Sequence, residues 1–232
     1  GYPVGMDDPA GSQGTMSDPL RVGQYDLYLD LMAPAAGAHG ARVEEVWGVD
    51  GRCPEPEVRP TPIDLRPEPF PELLGRATAL DVIAHVLEPG VPVALVGEGG
   101  IGKTSLLRHL AHNPPTAEAS LTLPDGVVYL AAQGLPAGDL LQALFEVFYD
   151  SSAFCQPTEA QMHEALREKA ALILLDGVSL TQAEVRGLLE ALPRSALVLT
   201  AREPCLWGEG REIPLRGLAM EEALTLVERD LG

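Results

Sequence analysis

The sequence predicts an α/β fold built on a parallel β-sheet, and three observations carry that expectation. From Pro92 onward, short apolar runs with strand character alternate with stretches of helical periodicity, the pattern of βα units. Ala170 to Leu175 is continuously apolar, as expected for a strand buried on both faces, and ends in a carboxylate, Asp176. Between the apolar run Pro92–Val96 and a helix-like stretch from Ser105 to Ala111 lies a glycine-rich turn, Gly97-Glu98-Gly99-Gly100-Ile101-Gly102-Lys103-Thr104.

That turn matches G-x-x-x-x-G-K-[ST] in the order strand, turn, helix that a phosphate-binding loop requires. Glycines adopt positive φ without penalty and let the backbone approach a ligand closely. Successive N–H groups at a helix N-terminus then form a nest for an anion. Lys103 supplies a point charge for the β- and γ-phosphates of a nucleotide, and the Thr104 hydroxyl a ligand for Mg²⁺. Only two lysines occur, Lys103 and Lys169, and one falls in this loop. The nucleotide contacts expected here are Gly97, Glu98, Gly99, Gly100, Ile101, Gly102, Lys103, Thr104 and Ser105. Asp176, at the C-terminal end of its strand, is the expected partner of Thr104 in holding the Mg²⁺ shell.

Taken in order, residues 1–15 are rich in Gly and Asp, lack periodicity and read as a disordered leader or remnant. Within 16–53, Tyr25 to Met32 alternates as a strand, and Ala41 to Val49 carries a second strand signal, so a small β-hairpin appendage is expected. Residues 54–71 hold prolines at 54, 56, 60, 62, 67, 69 and 71 and read as a semi-rigid linker of polyproline type. The main domain spans 72–217. Its first helix has Thr78 as the expected cap and Leu80, Ile83, Ala84 and Leu87 as its apolar stripe. Strands are expected near Val93, Val128, Ile173, Val198 and Ile213. Helices are expected after Asp139 as cap, after Thr158 with Gln161 in a capping box, and after Thr181 with Glu184 in another. Residues 218–232 read as a last helix that begins a further helical domain.

Composition narrows the partners. A formal net charge of −18 argues against nucleic acid, whose binding relies on Lys and Arg at phosphates. Cys53, Cys155 and Cys205 have neither metal-ligand spacing nor the makings of a disulfide framework, which fits a reducing cytoplasm. No apolar run approaches the ~20 residues of a membrane span, and the N-terminus lacks the basic and apolar regions of a signal peptide. Arg in excess of Lys, with abundant Ala, Gly and Pro, suggests a GC-rich bacterial gene.

With the motifs placed, Phe70 to the C-terminus resembles the nucleotide-binding domain of STAND ATPases, the NB-ARC-like branch of the P-loop NTPases. Leu73-Leu74-Gly75-Arg76 is similar to that family's hydrophobic-Gly-Arg motif, and GEGGIGKT to its phosphate loop. Leu172 to Val178 looks like its Walker B strand, and Leu197 to Glu203 like its sensor strand. Leu215 to Leu224 resembles its passage into the next helical domain. The resemblance implies a three-layer sandwich whose five parallel strands are ordered fifth, first, fourth, third, second. It implies an ATP/ADP switch with Mg²⁺, in which Leu73, Leu74 and Arg76 line the adenine and ribose. Lys103, Asp176 and Arg202 would serve hydrolysis, Arg202 by sensing the γ-phosphate.

Members of the family are multidomain regulators and immune sensors, in bacteria often antiphage defence proteins. The resemblance therefore implies other domains in a longer protein and a homo-oligomer on activation. One position departs from the pattern: Gly177 stands where the family commonly has a second acidic residue, so slow hydrolysis is expected. The alternative reading is a non-hydrolysing scaffold that nucleotide only stabilises. A metabolic kinase would need an acceptor pocket and an Arg-bearing lid that the sequence does not display. A GTPase would need an Asn-Lys-x-Asp motif, which is absent.

Overall fold

The computed structural model describes residues 20–22, 25–27, 55–69, 73–116, 121–150 and 157–231. Ten strands and six helices lie within them. In chain order the strands are β1 (Leu20–Val22), β2 (Tyr25–Leu27), β3 (Glu57–Val58), β4 (Ile63–Leu65), β5 (Val93–Val96), β6 (Gly126–Ala131), β7 (Tyr149–Asp150), β8 (Ala171–Asp176), β9 (Ala196–Ala201) and β10 (Arg211–Pro214). The helices are α1 (Ala77–Val86), α2 (Lys103–His112), α3 (Ala137–Phe148), α4 (Glu159–Leu166), α5 (Gln182–Ala191) and α6 (Met220–Leu231).

The central sheet is fully parallel, with spatial order β10-β5-β9-β8-β6-β4. Its strands alternate side chains between two apolar layers, as the period of two demands. Leu172 and Leu174 of β8 face α1 and α2, packing with Ile83, Leu87, Leu106, Leu107 and Leu110. Ile173 and Leu175 face α3, α4 and α5, packing with Leu144, Phe145, Phe148, Leu166 and Val185. Burying each such side chain contributes about 1.5–3 kcal/mol. The double coverage explains why β8 reads as an unbroken apolar run.

The sheet has six strands where five were expected, and the sixth comes from the proline-rich stretch. Ile63–Leu65 pairs in parallel with Gly126–Val128 at the sheet edge. Gly126 has φ +97°, and a Cβ there would overlap the Ile63 backbone, so a glycine is what lets β4 approach. The same stretch supplies β3, which pairs antiparallel with β7 and carries an ion pair of 2.6 Å between Arg59 and Asp150. Residues 55–69 are therefore no plain spacer. The prolines flank these short strands and leave the paired N–H groups free, which the prediction from proline spacing overlooked.

β1 and β2 form a two-stranded antiparallel ladder, Leu20 opposite Leu27. Tyr25 thus starts a strand as expected, but its partner is Leu20–Val22. The partner predicted over Ala41–Val49 lies outside the described residues.

Two caps differ from the sequence reading. α1 begins one residue before Thr78, with Arg76 at its cap position and no side-chain cap. Asp139 sits inside the first turn of α3, after Pro136 as cap, where its charge complements the helix dipole. The capping boxes Thr158/Gln161 and Thr181/Glu184 are both formed. No helix among the described residues is long and apolar enough to cross a membrane.

Candidate nucleotide-binding site

The phosphate loop leaves the C-terminal end of β5 and runs straight into α2. Gly102, the cap of α2, has φ +95°, and Gly100 has φ +80°; both lie in the left-handed region that favours glycine. No side chain caps α2, so its first N–H groups are offered to the loop's concavity. A Cβ on Gly99 or Gly100 would meet nothing within 4 Å, so the rim of the loop is open. Glu98 is exposed, and Ile101, Gly102, Lys103 and Ser105 are half-buried. Lys103 Nζ folds back over the loop and donates to the carbonyls of Gly97 and Glu98, each at 2.7 Å.

Arg76 braces this loop from behind. It is buried, and its guanidinium donates to Ile101 O at 2.5 Å and to Arg216 O at 2.7 Å. The Leu-Leu-Gly-Arg motif thereby joins the phosphate loop to the segment leading into α6. Gly75 lies against Leu218 and Glu222 of that segment. Leu73 packs on the core layer beneath α1 and α2, and Leu74 is half-buried.

Asp176 ends β8 beside the loop, and three hydroxyls converge on it. Thr104 Oγ1 donates to Oδ1 at 3.1 Å, Thr200 Oγ1 donates to Oδ1 at 2.7 Å, and Tyr129 Oη donates to Oδ2 at 2.9 Å. Thr200 also accepts from the Gly177 N–H at 2.7 Å, which commits its own proton to the carboxylate. A hydroxyl that donates to a carboxylate keeps its lone pairs for a cation. The Thr104 and Asp176 oxygens are hard donors of the kind that suit Mg²⁺, with phosphate and water completing its shell. Among the described residues no group of three or more His, Cys, Asp or Glu gathers to form a cage made by protein alone.

The electrostatics of the loop are mixed. Lys103 has its pKa lowered, first by burial and then by the Arg202 charge, against an opposing pull from Asp176. Arg202 is exposed just beyond β9, close enough for this effect to be felt. The Tyr129 pKa is raised, chiefly by burial and by its bond to Asp176, with the Arg108 side chain opposing. The hydroxyl therefore stays protonated and remains a donor.

Sequence reasoning identified Thr104, Lys103 and Asp176 as neighbours but passed over Tyr129 and Thr200 as site residues. The available signal was a polar-tipped aromatic in the middle of the apolar strand β6, beside the strand that carries Asp176. At Gly177 φ is +83°, and a Cβ would lie 3.3 Å from that of Gln133. A hollow of about 260 Å³ between α3, α4 and α5, edged by Leu140, Leu141, Leu180 and Leu188, shares no residue with this site.

The parallel sheet, the glycine loop running into a helix, and the carboxylate at the end of β8, two strands from β5, are consistent with the fold of a P-loop NTPase. Among known proteins, the chain is similar to the regulatory protein AfsR of Streptomyces coelicolor, 30% identical over 192 residues, covering 72% of this chain and 19% of AfsR. It is also similar to the aliphatic sulfonates import ATP-binding protein SsuB of Granulibacter bethesdensis, 34% identical over 136 residues, covering 56% of this chain and 55% of SsuB. A solved STAND protein with a tetratricopeptide repeat sensor, from Pyrococcus horikoshii, aligns with 74% of this chain and 27% of its own at 22% identity and a TM-score of 0.43. No family model matches the sequence. The chain spans about a fifth of the length of AfsR.

Proposed function

We propose that this chain is the nucleotide-binding switch module of a multidomain regulatory ATPase of the STAND class, which binds ATP or ADP with Mg²⁺ and hydrolyses ATP slowly. The observation that carries the reading is the contact between Thr104 and Asp176 at the mouth of the glycine loop. It brings together the two oxygen donors that a Mg²⁺–nucleotide complex needs. The assignment to the STAND class is supported by the Leu-Leu-Gly-Arg motif, by the Thr-Ala-Arg sequence after β9, and by the similarity to a regulatory protein over most of this chain.

Within this reading Lys103 leaves its two loop carbonyls for the phosphates, and the N–H groups before α2 cradle them. Mg²⁺ would neutralise charge on the β- and γ-phosphates. Arg202, adjacent in charge to Lys103, would sense the γ-phosphate. Arg76 would reach the nucleotide only by giving up a carbonyl contact, so its proposed role is to couple the loop to α6. We assign the module to a cytoplasmic regulator whose other domains set its oligomeric state, in bacterial regulation or defence.

A second reading, a scaffold that holds nucleotide without turnover, is favoured by Gly177. That residue offers no side chain for activating water, a contribution typically worth about 10²–10⁴-fold. Mass spectrometry of nucleotide released from the purified protein tests the shared premise. Recovery of ADP or ATP in near-stoichiometric amount is expected, and its absence from protein that also fails to bind added Mg²⁺–ADP would remove both readings.

A further inference from the structure

The two oxygens of Asp176 are held by hydroxyls from different elements, α2 and β6. Thr104 and Arg108 are four residues apart on α2 and so lie one above the other on one face of that helix. Thr104 reaches Oδ1 directly. Tyr129 Oη donates to Oδ2 at 2.9 Å, and the Arg108 charge is felt at that hydroxyl, where it opposes the effect of burial. Among the described residues the buried Nε of Arg108 has no hydrogen-bond partner. Tyr129 belongs to β6, whose register with β8 sets Tyr129 beside Leu174 and Ala131 beside Asp176. The tyrosine thus leans along its strand to meet the carboxylate.

We propose that Tyr129 is a positioning residue that fixes the Asp176 carboxylate for Mg²⁺. By holding Oδ2, Tyr129 removes rotation about the Cβ–Cγ bond and leaves Oδ1 turned to Thr104. The brace ties the metal-binding carboxylate at the end of β8 to the neighbouring strand β6. This inference rests on the proposed reading of the site as a Mg²⁺–nucleotide site. Groups that orient a metal-binding carboxylate typically influence metal affinity by about 10–100-fold.

The test is the Mg²⁺ dependence of ADP binding, measured by calorimetry at fixed ADP over a Mg²⁺ series and again in excess chelator. For Tyr129→Phe, which removes only the hydroxyl, the Mg²⁺ midpoint is expected to rise by about tenfold. ADP affinity in chelator should stay within about twofold of the unaltered protein, since a merely structural defect would weaken both. A Mg²⁺ midpoint unmoved in Tyr129→Phe, or equal losses with and without Mg²⁺, would each overturn the brace. If the unaltered protein binds ADP with no Mg²⁺ dependence at all, the proposed site fails and the brace with it; if it does depend on Mg²⁺ and Tyr129→Phe matches it, only the brace fails.

Discussion

Thr104 and Asp176 are 72 residues apart in sequence, and the Thr104 hydroxyl donates to Asp176 Oδ1 at 3.1 Å. The contact exists because β5 and β8 lie on either side of β9 in one parallel sheet, so their C-terminal ends open on the same side. Ligands of open α/β sheets bind at that end. The functional reading depends on this relationship more than on any single motif.

Gly177 sets an expectation about turnover. Its φ of +83° and the nearby Gln133 Cβ mean that an acidic side chain there is strained, beyond any question of chemistry. Gly177→Asp and Gly177→Glu should melt at lower temperature than the unaltered protein, with a cost of about 1–3 kcal/mol. Neither should raise phosphate release to the ~10 s⁻¹ of a median enzyme. Thermal melting followed by a steady-state phosphate assay checks both statements.

Arg202 and Lys103 repel one another, and the repulsion is measurable. Because the Arg202 charge helps to lower the Lys103 pKa, Arg202→Ala should move that pKa up toward the ordinary lysine value. With only two lysines in the chain, an NMR titration of the side-chain signals can follow Lys103 separately from Lys169. The same variant should lose more affinity for a non-hydrolysable ATP analogue than for ADP, because only the former presents a γ-phosphate. Equal losses would leave Arg202 as a surface arginine.

Cys205 gives the fold a sign-definite alkaline response. Burial, with the Glu212 charge, pushes its thiol from an ordinary 9.0 up to about 11. Between these values the unfolded chain has released the proton that the folded chain still holds. Folding stability from this group is therefore intact below about pH 9 and falls as pH rises toward 11. Cys205→Ala should flatten that part of the stability–pH curve measured by denaturant unfolding.

Arg76 should act on the loop from outside it. Arg76→Ala removes the bonds to Ile101 O and Arg216 O and leaves both carbonyls to find other partners. Charged hydrogen bonds of this kind contribute about 1.5–3 kcal/mol each. The variant should melt lower even without nucleotide, and hydrogen exchange should quicken both around Ile101 and at the start of α6. Faster exchange at only one of these places would separate the loop from the tail.

Much of the fold was legible because its signals are local. The strand-to-loop-to-helix order around Lys103, the apolar run of β8 and the two capping boxes are written in neighbouring residues. What escaped depends on distant pairing. The strand Ile63–Leu65 is recognised only through its ladder with β6, and its prolines point to a linker when read alone. Thr78 and Asp139 are good caps in isolation, but each helix starts ahead of them and takes them into its first turn. At the site, the phosphate loop announced itself, whereas Tyr129 and Thr200 acquire meaning only once β6 and β9 are laid on either side of β8.

The central claim is that the glycine loop, with Lys103, binds the phosphates of a nucleotide. Calorimetry of Mg²⁺–ADP binding to the unaltered protein and to Lys103→Ala tests it most directly. One nucleotide per chain is expected for the former, with a rise in melting temperature on binding, and no tight binding and no ligand-induced rise for the latter. Equal affinity in the two proteins would contradict the account.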